Sequence, residues 1–141
     1  MKRAWLAILL GACAANAAEP PSFWDRFRLK IETYLGRPYT WGASGVKSFD
    51  CSGFVWRVSQ ESGLYFKRTT ARKLFFSTSP PAKDQRWRFG NLVFFDDLGH
   101  VGIVNDSRTF YHAHRTGGTT LSEFGSYWTP KITGVRTLRA P

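Results

Sequence analysis

Cys51 and the three histidines, His100, His112 and His114, are the side chains best suited here to nucleophilic and proton-transfer chemistry. A thiol becomes a strong nucleophile when its thiolate is stabilised, and the start of a helix does this through its dipole and unpaired backbone N–H groups. Asp50 is a good N-cap, and Phe54, Val55 and Val58 follow at helical spacing up to a stop at Gly63. Cys51 is therefore expected in the first turn of a helix. The same N–H groups are suited to hold the oxyanion formed when a thiolate attacks an amide carbonyl. Ser52 and Gly53 are small and leave a substrate room to approach. Such a thiol also needs a base. His100 opens an expected strand directly after Gly99, an edge position from which a ring can reach a neighbouring helix end. His112 and His114 lie two apart on a further strand and so share one face. Either can orient His100 as the third member of a triad, and spacing does not choose between them.

The elements that must position these groups are legible from caps and periodicity. Ser22 caps a helix in which Phe23, Phe27, Ile31 and Tyr34 recur on one face, with Gly36 just past its end. Residues 36–49 are turn-rich and hold Pro38-Tyr39-Thr40-Trp41-Gly42. After the Cys51 helix, a short helix is expected over residues 70–77, followed by an irregular connection through Pro80-Pro81. Beyond Gly90 the pattern turns to strands over 92–95, 101–104, 110–114 and a final 134–138, with turn signals at Asp96-Asp97-Leu98-Gly99 and Asn105-Asp106-Ser107. Helices first and an antiparallel meander second define an α+β domain with the helices packed on one side of the sheet.

The chain of 141 residues suits one compact domain. Met1-Lys2-Arg3, the apolar run 4–15 and the small-x-small site Ala15-Asn16-Ala17 read as a secretory signal over 1–17, followed by a linker at 18–21 and a domain over 22–141. The apolar run falls well short of the roughly 20 residues that cross a bilayer. Leu10-Gly11-Ala12-Cys13 resembles a lipobox, which makes a lipid anchor at Cys13 the alternative to a free periplasmic or extracellular product. By either route Cys51 is the one thiol left, no internal disulfide can form, and an unpaired cysteine in an exported protein calls for a reason. The formal charge of +10 favours polyanions, which outside the cytoplasm means wall carboxylates, anionic glycopolymers or lipid headgroups more readily than nucleic acid.

Asp50-Cys51-Ser52-Gly53-Phe54-Val55 resembles the nucleophile segment of the NlpC/P60 family, and His100-Val101-Gly102-Ile103-Val104 resembles its base segment. Pro38-Tyr39-Thr40-Trp41-Gly42 is similar to the family loop whose tyrosine lies near the nucleophile. Gly90-Asn91-Leu92-Val93-Phe94-Phe95 is similar to the strand before the base, with Asn91 where the family usually has aspartate. Phe110-Tyr111-His112-Ala113 resembles the strand bearing the third polar residue. The resemblance implies a papain-like α+β fold, with Cys51 as nucleophile, His100 as general base and acid, and His112 rather than His114 orienting His100. It also implies Tyr39, Asp50 and Ser52 as substrate-binding residues. The implied activity is cysteine peptidase cleavage of peptidoglycan stem peptides, at a D-gamma-glutamyl to diaminopimelate bond, by a monomer with no cofactor.

Three rivals differ in chemistry. A structural zinc site built from Cys51, His100 and His112 lacks the close paired ligands such sites use, so no metal is expected. A non-catalytic basic binding module fits the charge, but no nucleic-acid motif is present and the six tryptophans are not clustered as a stacking platform, so no nucleic-acid partner is expected. Related cysteine amidases and acyltransferases are nearer. In the permuted acyltransferases the histidine precedes the cysteine, and the order here, Cys51 first, favours a peptidase.

Overall fold

The helices begin where the caps place them in the computed structural model, which describes Gly11 and residues 18–141. Helix α1 (Phe23–Tyr34) opens on a reciprocal capping box: Ser22 Oγ accepts the Asp25 N–H at 3.1 Å, and the Asp25 carboxylate accepts the Ser22 N–H at 3.0 Å. Helix α2 (Cys51–Ser62) opens at Asp50, whose Oδ1 accepts the Gly53 N–H at 2.6 Å, and closes at Gly63 with φ 101°. Such a cap contributes about 1 kcal/mol and fixes the residue at which the helix starts. Helix α3 (Ala71–Ser77) is capped by Thr70. The secretory signal and the Cys13 alternative fall, Gly11 apart, outside the described residues.

Strands β1 (Leu92–Phe95), β2 (His100–Val104), β3 (Thr109–His114), β4 (Gly118–Glu123) and β5 (Ile132–Arg136) form an antiparallel sheet in the order β4-β3-β2-β1-β5. The molecule is α+β, as expected, with three corrections. The last strand starts two residues earlier than expected, because Ile132 pairs with Phe95 across an irregularity in the ladder. Strand β4 was not anticipated: its Gly-Thr-Thr-Leu-Ser-Glu sequence is polar, since it is an edge strand with only alternate residues turned inward. Helix α4 (Gly125–Trp128) is too short to carry any periodic signal.

The sheet has two covered faces rather than one. Leu92, Phe94, Val101, Ile103, Tyr111 and Ala113 pack with Phe27, Ile31, Phe54, Val55 and Val58 of the long helices. Val93, Phe95, Val104 and Phe110 pack on the other side with Phe124, Trp128 and Val135. Period-two alternation sends neighbouring residues to opposite faces, so a strand covered on both reads as a continuous apolar run.

The β1–β2 turn is constrained. Asp96, Asp97 and Leu98 have φ of 52°, 51° and 69°, three consecutive left-handed residues that are not glycine. Left-handed backbone costs an ordinary residue on the order of 1–2 kcal/mol. Burial of Leu98 to 6 % exposure and the bond from Asp96 N to Lys131 O at 3.0 Å hold the turn in place and fix where His100 begins β2.

Beyond Ile103 and Tyr111, the β2–β3 pairing stops. There Gly102 lies so close to β3 that a Cβ would meet the Phe110 ring at 2.8 Å and the Tyr111 carbonyl oxygen at 2.9 Å. We expect Gly102→Ala to lower unfolding free energy by about 1–3 kcal/mol through overpacking against backbone. Urea denaturation measures this, and an unchanged midpoint contradicts the tight approach.

Candidate active site

The Asp50 cap does more than start a helix. Its Oδ2 accepts the Gly42 N–H at 3.0 Å, and its Oδ1 accepts Arg68 Nη2 at 2.6 Å in addition to the Gly53 N–H. The loop carrying Tyr39 and Trp41 is thereby tied to the turn that carries Cys51. Further bonds join Asp50 N to Ala43 O at 2.9 Å and Thr40 N to Phe49 O at 2.9 Å. Gly53 is required by this approach, because a Cβ would lie 2.1 Å from Ala43 O.

Cys51 occupies the first position of α2 and is buried to 9 % exposure. Burial pushes its thiol pKa above the usual value. The Asp50 carboxylate next to it adds to the rise, and the backbone amides of Val101, Ser52 and Cys51 itself pull the other way. Cys51, Tyr39, Trp41, His100, His114 and Trp128 line one cleft of about 240 Å³.

His100 Nε2 and His112 Nδ1 are 2.8 Å apart, and His112 Nε2 lies 2.9 Å from Ser122 Oγ. His114 lies near His100, with ring centroids 6.0 Å apart, but its Nδ1 meets Thr116 Oγ1 at 3.0 Å. Geometry thus pairs His100 with His112, the choice that spacing left open. His100 Nδ1 makes no hydrogen bond among the described residues. For Nδ1 to accept a proton, His100 must carry its hydrogen on Nε2 and donate it to His112 Nδ1. His112 must then donate from Nε2 to Ser122 Oγ; the reverse order, with Ser122 donating, would put the hydrogen on His100 Nδ1, so the chain His100–His112–Ser122 couples the two tautomers.

Trp128 encloses this chain. It stacks on His100 at 5.5 Å and 24°, and meets His112 and His114 edge-on at 5.1 and 5.3 Å. Burial lowers the pKa of His100 to about 4 and that of His112 to about 2, so both rings stay neutral at physiological pH. Tyr39 is half-buried, and the Arg115 guanidinium beside it partly offsets the upward push of burial on its hydroxyl. Asp50 and Ser52 are 8 % and 6 % exposed, with Arg68 Nη1 bonded to Ser52 Oγ at 2.9 Å. Among the described residues, no group of three or more side chains is arranged to hold a metal ion. Sequence reading had not singled out Ser122, Arg68, Arg115 or Trp128. Ser122 and Trp128 belong to the two elements that carried no sequence signal.

Burial lowers His114 as well, and the depressed histidines tie stability to pH, His100 and His112 most strongly. An unfolded chain protonates ordinary histidines near pH 6.5, whereas the native rings resist down to about 4 and about 2. Stability is therefore complete above pH 6.5 and is lost as pH falls through 6.5 toward 4, by on the order of 1 kcal/mol per pH unit per ring. In thermal unfolding from pH 7 to 4, we expect His112→Gln to show a shallower decline than wild type, because one of the depressed groups is gone. Parallel curves would contradict neutral burial.

Comparison with known proteins follows this geometry. The NlpC/P60 family profile matches residues 36–137. A probable endopeptidase p60 of Listeria welshimeri is 35 % identical over 108 residues, 74 % of this chain and 20 % of the relative. A gamma-DL-glutamyl hydrolase of Bacillus subtilis is 30 % identical over 140 residues, 94 % of this chain and 33 % of the relative. The chain thus spans only a fifth to a third of these relatives. Among solved structures, an NLP/P60-family protein similar to lipoprotein from Staphylococcus aureus aligns with TM-score 0.72 and 25 % identity, over 89 % of this chain and 45 % of that one. With a family profile covering most of its length, this chain belongs to the NlpC/P60 family.

Proposed function

We propose that the protein is an exported cysteine peptidase that hydrolyses an amide bond in peptidoglycan stem peptides, at the D-gamma-glutamyl to diaminopimelate linkage. The observation that carries this reading is the sharing of one cleft by Cys51, at the start of α2, and His100, whose other ring nitrogen is held by His112 at 2.8 Å. The names of the relatives, endopeptidase, peptidoglycan endopeptidase and gamma-DL-glutamyl hydrolase, support the substrate class.

In this mechanism His100 Nδ1 takes the thiol proton as Cys51 Sγ bonds to the scissile carbonyl carbon. The oxyanion is held by backbone N–H groups at the start of α2. Collapse breaks the C–N bond, His100 returns its proton to the leaving amine, and a thioester remains on Cys51. Water, giving a proton to the same nitrogen, attacks the thioester and releases the acid and the free thiol. His112 orients His100 and stays neutral. Tyr39 contacts substrate at the mouth of the cleft, and Asp50 and Ser52 act at its nucleophile end through Arg68.

Mass spectrometry of purified muropeptides tests the reading. Wild type should produce new amine and carboxyl termini at one linkage, and Cys51→Ala should keep its fold and produce none. His112→Ala should lower kcat on the order of 10²-fold or more. No new terminus in the wild-type digest would overturn the proposal.

The same chemistry sets a pH profile. Because burial holds His100 near 4, the base stays available well below the ordinary histidine range. The acid limb of kcat/KM on a soluble stem peptide should therefore lie below pH 6. A limb at 6.5 or above would show that His100 is not the buried neutral base.

A further inference from the structure

Arg115 is a charge in the cleft that the catalytic steps leave unused. It is the first residue past β3, in a turn that the pairing of His114 with Gly118 limits to residues 115–117. Its side chain is exposed, lines the cleft together with Cys51 and His100, and stands beside the Tyr39 hydroxyl. Two backbone bonds hold the turn in that place. Gly36 N donates to Thr119 O at 2.7 Å, and Thr119 N donates to Arg37 O at 2.8 Å. Gly118, with φ 65°, brings the hairpin so close that a Cβ would lie 2.4 Å from Arg37 O. The β3–β4 hairpin is thus fastened to the loop that carries Tyr39, and the position of Arg115 over the cleft is built into the fold.

Among the described residues the one ion pair is Arg68–Asp50, so Arg115 has no carboxylate of its own there. Asp96 is the one carboxylate that lines the cleft, but it follows β1 whereas Arg115 follows β3. Strand β2 runs between them, which sets the two residues two strand spacings apart, on the order of 10 Å. The cleft is therefore polarised: an anion is favoured beside Arg115 and disfavoured beside Asp96.

A γ-glutamyl amide brings such an anion with it. Joining the side-chain carboxyl of glutamate to the next amine leaves the α-carboxylate free, a short carbon chain away from the scissile carbonyl. A guanidinium grips a carboxylate through two parallel N–H···O bonds. A carboxamide in the same place offers one oxygen and turns an NH₂ donor toward the arginine donors. Acid and amide differ too little in shape for packing to separate them, whereas charge and hydrogen-bond direction do so.

We propose that Arg115 determines specificity by binding the free α-carboxylate of the γ-glutamyl residue, so that stem peptides amidated at that carboxyl are poor substrates. This rests on the hydrolase reading and adds to it the contact that reads one group of the substrate. The acyl half of the substrate then lies toward the β3–β4 turn, with Tyr39 on the flank of the same carboxylate.

Two synthetic peptides that differ only in that group provide the test: L-alanyl-γ-D-glutamyl-diaminopimelate and its α-carboxamide, L-alanyl-D-isoglutaminyl-diaminopimelate. Chromatography of the released dipeptide gives kcat/KM for each with the native full chain at low salt. Wild type should prefer the acid by about tenfold or more. Arg115→Gln should bring the ratio to within about threefold of unity, chiefly through a raised KM for the acid. Arg115→Lys keeps the charge without the fork and should fall between the two. Arg139→Ala, which removes a positive charge outside the cleft, should keep the wild-type ratio. A merely structural role for Arg115 would slow both peptides together and leave the ratio unchanged, and that result would overturn the proposal. Equal cleavage of the two peptides by wild type would overturn it while the hydrolase reading stands. A matching fall of the ratio in Arg139→Ala would reduce the effect to the general field and overturn it as well. Cleavage of neither peptide by wild type would overturn the hydrolase reading and this inference with it.

Discussion

The Asp50 carboxylate is the point at which this active-site architecture is tied together. Buried to 8 % exposure, it would carry a large desolvation cost if left bare. It accepts from Gly42, Gly53, Ser52 and Arg68, and so joins the 36–49 loop, the start of α2 and the 64–69 segment. Charge-assisted bonds of this kind are shorter and stronger than neutral ones and fix direction as well as distance. Cys51 is the next residue, so the orientation of its side chain is set by a carboxylate that need take no part in proton transfer. Arg68 is the counter-charge, and its nitrogens hold Ser52 on the other flank of the cysteine.

Electrostatics in the cleft run toward neutrality. Burial raises the thiol and lowers both His100 and His112, so the resting site favours thiol and imidazole over thiolate and imidazolium. His112 partners His100 as a neutral imidazole and brings no buried negative charge that would need its own partner. Ser122 completes the chain at 2.9 Å, and the Trp128 ring stacks on His100 and meets His112 edge-on.

Much of this was legible because it rests on local signals. Ser22, Asp50 and Thr70 announce three helix starts, Gly63 announces a stop, and the apolar runs mark β1, β2 and β3. The same signals put Cys51 in a first turn and His100 at a strand start. They could not choose between His112 and His114, because both face the same way and strand β2 decides which one it meets. Ser122 and Trp128 were silent for a related reason. One lies on a polar edge strand and the other on a single helical turn, and each acquires meaning only from the ring packed against it. Arg68 looked like part of a charged stretch, since its partner Asp50 is 18 residues away in sequence.

The cleft forms at the end of the sheet for a geometric reason. Cys51 belongs to the core on the helix side, while His100 and His112 stand on the opposite face with Phe110 and Trp128. Groups on opposite faces of a continuous ladder are separated by the backbone. They can share a space only where the ladder ends. Pairing between β2 and β3 stops at Ile103 and Tyr111, and the His100–His112 hydrogen bond spans the strands beyond that point. The left-handed turn at Asp96–Leu98 then delivers His100 at the open end, where it lines the same cleft as Cys51. Backbone strain in that turn is thus coupled to the position of the His100 ring. A relaxed, longer hairpin would leave the chemistry of His100 unchanged but would no longer fix where its ring enters the cleft.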